Sequence, residues 1–356
     1  MRTLRHPPRI LLCSWVFAPS IGGIETSSLF LAEHMHHHGL AVTVVTQTPA
    51  DDHLFPFPVI RQPSRSHLLE LVRSSDLVFQ NNISLHYLWP LLFVRRPLII
   101  ANHTPIDETI EHSRLKRSLK LLALRLATDT ISCSQYLAST FPVPSHAIHN
   151  PYRSAIFHRS TPPPVRDREL IFVGRLVQAK GVDILLHALA ILRERNLRPA
   201  LTLVGGGAEL HPLESLASQL GLDDQITFLG PLPPQQSALL LERHQILVAP
   251  SRRQPAEAFG IVPLEAIACG AVPVVSAQGG LPEAIGDCGV LFENENSRAL
   301  AETLAHLLTH PEKLEQLRAH APSHLARFQE ERIFLEYLSV VQRALPHYRI
   351  LDSTPA

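Results

Sequence analysis

Glu169 to Asn196 reads ELIFVGRLVQAKGVDILLHALAILRERN, and its two halves have different periods. ELIFV is a short, nearly unbroken apolar run, the pattern of a strand buried on both faces. GVDILLHALAILRERN repeats its apolar residues at helical spacing. Glycine, arginine and lysine fill the join. The stretch is therefore one strand, loop and helix unit of a parallel sheet, and the same rhythm extends in both directions. Upstream lie RILLCSWVF, a helical ETSSLFLAEHMHHHG, AVTVVTQ, DLVFQN, PLIIANH and DTISCS. Downstream lie ALTLVGGGAEL, QITFLGPL, QILVAPS and AVPVVSAQGG. The rhythm pauses at 151–168, where STPPPVRDRE is proline-rich and polar. The reading is two Rossmann-like α/β domains, 1–150 and 169–327, joined by a linker at 151–168. A last helical pattern, RIFLEYLSVVQRAL, lies within 328–346. Mainly parallel sheets would face each other across a cleft, with ligands at the carboxyl ends of the strands.

Composition agrees with a globular α/β chain. The 356 residues are 45% hydrophobic, and 32 basic residues balance 32 acidic ones, so no global field favours nucleic acid. Cys13, Cys133, Cys269 and Cys288 are far apart and form no C-x-x-C pair, which suggests neither a disulfide framework nor a zinc knuckle, and a reducing cytoplasm is the simplest setting. Arg2, Arg5 and Arg9 before ILLCSWVFA imitate a signal peptide, but the run leads straight into a glycine turn and a helix, which argues against one. The apolar stretch from Phe259 to Pro282 is broken by Pro263, Gly270 and Pro273, so it is not expected to span a membrane.

Four loops carry candidate chemistry. Gly22 and Gly23 sit between a strand and a helix, where backbone N–H groups can meet an anion or simply make a turn. Gly174, Arg175 and Lys180 follow a strand, and two cations five positions apart can grip a diphosphate or form a solvated basic loop. Gly205 to Gly207 allow close approach to a ligand, or a tight turn. The fourth loop is EAFGIVPLE, Glu257 to Glu265. It places Glu257 in a loop, the N–H groups of Phe259, Gly260 and Ile261 ahead of a helix expected to begin near Pro263, and Glu265 in that helix's first turn. Glu265 can accept from a ribose diol and Glu257 can orient a sugar, although acids at a helix start also merely favour its dipole.

Three further features have bland and sharp readings. His34, His37 and His38 have a spacing that could hold a metal, but imidazoles at a helix end also suit the dipole. His103 follows a buried strand and is as readable as a structural residue. RLKRSLKLLALRLA, 114–127, sets Leu115, Leu119, Leu122 and Leu126 on one stripe among Arg114, Lys116, Arg117, Lys120 and Arg125, which suits either a solvated face or peripheral contact with the inner face of a membrane.

Taken in order, PSIGGIE, HNPY, FVGRLVQAKGVDILLHAL, LTLVGGGAEL, ITFLGPLP and APSRRQPAEAFGIVPLEAIACGAVPVVSAQGGLPEAI resemble the retaining glycosyltransferases of family four, which have the GT-B fold. The likeness covers nearly the whole chain. It implies that Arg175 and Lys180 bind the donor diphosphate, that Glu265 binds the ribose, and that Glu257, Phe259 and Gly260 sit beside the donor sugar and its phosphate. It also implies diphosphate contact from Gly22 and Gly23, a donor-sugar contact at His103, and a C-terminal helix that crosses back to the first domain. No cofactor and no metal are implied, in keeping with the lack of a D-x-D pair. Arg252 and Arg253 could grip an anionic acceptor or be solvated. The expected activity is transfer from a nucleoside diphosphate sugar, UDP-linked, to a hydroxyl acceptor such as a glycan, lipid or small molecule. Nucleotide-sugar epimerases, phosphorylases and non-catalytic sugar-nucleotide sensors remain alternatives.

Overall fold

The structure, a computed structural model, describes residues 6–20, 22–49, 54–108 and 110–348. Arg2 and Arg5 of the basic N-terminal run and residues 50–53 lie outside the described residues.

The chain forms two compact units, one ending at Asn150 and resuming at Glu330, the other running from Pro151 to Gln329. In the first, β1 (Arg9–Ser14), β2 (Ala41–Thr46), β3 (Val59–Arg61), β4 (Leu77–Asn81), β5 (Leu98–Asn102), β6 (Asp129–Ser132) and β7 (His146–Ala147) form a sheet ordered β3-β2-β1-β4-β5-β6-β7. All of its pairings are parallel, with Ile10 opposite both Val42 and Leu77. Its helices are α1 (Gly23–His37), α2 (Arg65–Ser74), α3 (Arg114–Leu126) and α4 (Gln135–Ser139).

The second unit repeats the scheme. Strands β8 (Arg168–Val173), β9 (Leu201–Val204), β10 (Ile226–Gly230), β11 (His244–Ala249), β12 (Val272–Ser276) and β13 (Val290–Phe292) are ordered β10-β9-β8-β11-β12-β13, again parallel throughout. The helices are α5 (Val182–Glu194), α6 (Leu210–Gln219), α7 (Pro234–Arg243), α8 (Ile261–Cys269), α9 (Leu281–Ile285), α10 (Ser297–Thr309), α11 (Pro311–Ala319) and α12 (Ala321–Leu325). Central strands are apolar because helices cover both faces. Every residue of VPVVS in β12 is buried. In each sheet the strand order reverses beside the first strand, between β1 and β4 and between β8 and β11. The loops leaving those strands frame the crevice in which open α/β sheets take ligands.

A thirteenth helix, α13 (Glu330–Ala344), belongs to the first unit. Ile333, Phe334, Tyr337, Leu338, Val340 and Val341 share one face of it and join Phe30, Leu31, Met35, Ile10 and Phe79 in that unit's core. Among the described residues no helix is long and apolar enough to cross a membrane.

Candidate nucleotide-sugar site

The second unit's loops interlock before any ligand is considered. Gly205, just after β9, lies so close to the loop after β8 that a Cβ on it would stand 1.8 Å from the Gly174 carbonyl oxygen. The turn reading of this glycine is thus satisfied within the protein. The loop after β8 continues through exposed Arg175 to a single 3-10 turn, Gln178–Lys180, and then to Gly181, which caps α5. The loop after β11 lies against it. Arg252 N–H donates to the Ala179 carbonyl at 2.8 Å, and the Arg252 guanidinium reaches Gln178 O and Glu295 Oε1, each at 3.2 Å, and also Asp183 Oδ2. Arg252 is therefore a clamp between loops. Arg253 is exposed.

That clamp brings Lys180 to Glu257. The ammonium donates directly to Glu257 Oε2, and the Ser251 hydroxyl donates to the same oxygen at 3.3 Å. Burial alone would push the Glu257 carboxyl upward. The charge and hydrogen bond of Lys180, the Ser251 hydroxyl and the nearby charge of Arg175 outweigh it and hold the carboxyl below its ordinary value. Glu257 is ionised at neutral pH, and an ionised carboxylate offers acceptor oxygens to sugar hydroxyls.

The loop after β12 fixes the backbone of Glu257. Gln278 Oε1 accepts from Glu257 N–H at 3.1 Å, and Gly280 N–H donates to Glu257 O at 2.9 Å. Gly279 has φ +58°, and a Cβ there would stand 2.1 Å from the Glu257 carbonyl oxygen. Ser276 Oγ and Asn294 Nδ2 both donate to Ser251 O, at 2.6 and 2.9 Å. Ser251, Gln278 and Gly279 are supporting residues that carried no assigned role in the sequence reading. The visible signal was QGG after a wholly apolar strand, a glycine pair where a loop must pass close to another backbone.

Beyond Glu257 the chain turns at Gly260, φ +96°, and α8 begins at Ile261, not near Pro263. Pro263 sits within the first turn, where a missing N–H costs nothing. Ile261 and Val262 open the helix, so their N–H groups have no intrahelical acceptor and face the N-terminal side, where the dipole favours an anion. Glu265 is accordingly the fifth residue of α8, one position past the expected first turn. Burial raises its carboxyl to about 7, with the charge of Arg153 only partly opposing. Because this folded value lies above the ordinary one, stability from this group is lost as pH rises from the ordinary carboxyl range through about 7. Phe259 is buried and packs on Phe328, ring centres 5.8 Å apart, so it supports the loop from within.

The buried side chains at the first unit's carboxyl edge are uncharged, although Glu25 stands over Gly22 there and Arg61 donates to Ala18 O at 3.0 Å. His103, just past β5, is buried, and desolvation holds its imidazole down at about 4. Asn81 Nδ2 donates to Ser28 Oγ at 2.7 Å and to Ile24 O at 3.3 Å, so Asn81 Oδ1 faces His103 Nε2 at 2.7 Å. Nε2 therefore carries the proton. Nδ1 is left as a buried acceptor without a partner. Ser28 Oγ also donates to Ser14 Oγ at 2.7 Å. Gly22 caps α1 and Gly23 is its exposed first residue. The α1 histidines bond to their own helix: His34, His37 and His38 each set Nδ1 against the carbonyl four residues back, and His38 Nε2 meets Glu331 Oε1 at 3.1 Å. No group of three or more metal-ligating side chains occurs among the described residues.

The family described as Glycosyl transferases group 1 matches residues 154–324. D-inositol 3-phosphate glycosyltransferase of Corynebacterium jeikeium is 36% identical over 174 residues, 46% of this chain and 41% of the relative. The enzyme of the same name from Thermobispora bispora is 31% identical over 254 residues, 63% of this chain and 59% of the relative. The chain thus spans less than two thirds of the length of these curated relatives. Among solved structures, sucrose-phosphate synthase from Thermosynechococcus elongatus superposes with a TM-score of 0.79 at 21% identity, over 95% of this chain and 99% of that one. Anabaena Alr3699/HepE in complex with UDP gives 0.79 at 21% identity, over 94% of this chain and 100% of that one. These likenesses show the GT-B fold. The glycosyl transferases group 1 match falls on residues 154–324, which hold the paired loops after β8 and β11.

Proposed function

We propose that this protein is a retaining glycosyltransferase that moves a sugar from a nucleoside diphosphate sugar, UDP-linked, to a hydroxyl acceptor. The observation that carries the reading is the Lys180–Glu257 pair, held where the strand order reverses and next to the start of α8. Lys180 and Arg175 supply positive charge for a pyrophosphate. The opening N–H groups of α8 supply donors, and Glu265 supplies an acceptor for a ribose diol. A relative of the same fold that holds UDP supports the choice of base.

In this reading the leaving diphosphate gathers charge as the anomeric bond breaks, and Arg175, Lys180 and the α8 N-terminus stabilise it. The acceptor hydroxyl enters on the face the diphosphate leaves. A phosphate oxygen takes the acceptor proton, and the configuration is retained. Glu257 orients the donor sugar without forming a bond to it. Gly22, Gly23 and His103 are proposed donor contacts of the first unit, His103 through the lone pair of Nδ1. No metal is required, since two cations and a helix dipole already face the diphosphate.

The test is incubation with a panel of nucleotide sugars, followed by NMR of the released sugar. Slow release of the α-anomer from a UDP-sugar, lost in K180A, is the expected result. Inversion refutes retention. Isomerised nucleotide sugar, dependence on inorganic phosphate, or tight binding without turnover across varied acceptors would point to an epimerase, a phosphorylase or a sensor instead.

A further inference from the structure

Helix α3 carries leucines on two opposite faces, and only one of those faces meets the protein. Leu124 is buried and Leu121 partly so. Leu115, Leu119, Leu122 and Leu126 fall within an arc of about 60° on the other side, given 100° per residue. They are 70%, 42%, 48% and 73% exposed. This stripe of four leucines therefore points into solvent. Leu92 and Phe93 are also exposed, at the end of a turn that follows Leu85–Tyr87, the segment α3 packs against.

Cations border the stripe on both flanks. Arg114 and Arg125 lie on one side and Lys116 on the other, and none of the three is within salt-bridge distance of an acid among the described residues, although the charge of Lys116 acts on Glu111. The helix's other two cations are turned away to acids: Lys120 Nζ lies 3.0 Å from Glu111 Oε2, and Arg117 lies 3.9 Å from Glu108. The exposed face is thus apolar along its centre and positive along both edges. A helix of this kind lies in the interface of a bilayer, its leucines among the upper acyl chains and its cations at anionic headgroups. A solvated helix has no use for four outward leucines on one line.

We propose that α3 docks the first unit flat on an anionic lipid bilayer, with Leu115, Leu119, Leu122 and Leu126 inserted and Arg114, Lys116 and Arg125 on headgroup phosphates. The inference does not depend on the donor chemistry, since none of these residues belongs to the candidate site.

Flotation of the full chain with phosphatidylcholine vesicles, with and without phosphatidylglycerol, tests it. Binding to the anionic vesicles is expected to exceed binding to the neutral ones about tenfold and to weaken with salt. L115S/L119S/L122S/L126S changes only exposed positions, so its melting curve stays that of the parent while vesicle binding falls at least tenfold. R114E/K116E/R125E loses the preference for anionic lipid. In L119W, tryptophan emission shifts to the blue on anionic vesicles. Failure of the parent chain to float with anionic vesicles overturns the proposal. So does equal flotation after the leucine changes, or a parent dimer that those changes convert to a monomer without any lipid binding.

Discussion

The two units share a strand order but not the chemistry of its reversal point. Beside β1 and β4 the buried side chains are hydroxyls, amides and a neutral imidazole: Ser14, Ser28, Asn81 and His103. Beside β8 and β11 they are ions: Lys180 with Glu257, and Arg252 with Asp183 and Glu295. Topology decides where a ligand can sit, and the side chains at that place decide which part of a ligand it suits. A neutral, pre-bonded edge suits hydroxyls. An ionic edge with exposed Arg175 and a helix N-terminus is the one we propose for a pyrophosphate.

The sharpest way to break this contrast is to remove charge from the ionic edge. K180A is expected to lower turnover by about a hundredfold or more, the size of effect seen when one charge-stabilising donor is lost. H103A, at the neutral edge, should cost about tenfold. Steady-state kinetics with saturating acceptor would compare them, and equal losses would dissolve the contrast. G279A comes next. Its Cβ would be forced onto the Glu257 carbonyl at a left-handed backbone position, so a loss of about 2 kcal/mol in stability is expected, with turnover falling alongside. A melt that matches the parent would show that the loop after β12 can yield.

A titration sharpens the contrast further. With the Glu265 carboxyl at about 7, its ionised form, the one proposed to accept from a ribose, is depleted as pH falls, so UDP affinity should drop about tenfold from about pH 8 to about pH 6. E265Q should bind weakly at both pH values, with a flat profile. His103, held at about 4, stays neutral over the same range and contributes no step. Calorimetric titration at several pH values separates the two. The smallest expected effect is that of a chelator: EDTA should change the rate by less than about twofold, because the cations proposed to face the diphosphate are side chains.

Much of this was legible in the chain. Continuous apolar runs such as ELIFV and AVPVV mark strands covered on both faces, and glycine at 270 marks the end of α8. What stayed hidden follows from contacts made at long range. Nothing in the spacing of EAFGIVPLE says that its first acid pairs with Lys180, seventy-seven positions earlier. Arg252 and Arg253 look alike in sequence, and only the positions of Asp183 and Glu295 make one of them a clamp. Periodicity detects an amphipathic α3 but cannot choose between two leucine faces, because that choice depends on what the neighbouring elements present. Likewise the cap at Gly260, not Pro263, sets where α8 starts.

The membership of α13 has a consequence for how the protein is made. A ribosome delivers the second unit whole before it releases Glu330, so that unit can fold while synthesis continues. The first unit's strands emerge before the second unit and must wait, their nascent core open along the face that Phe334, Tyr337 and Val341 will cover, until α13 leaves the tunnel. A premature stop just before Glu330 would therefore spare the later-born half and strand the earlier one.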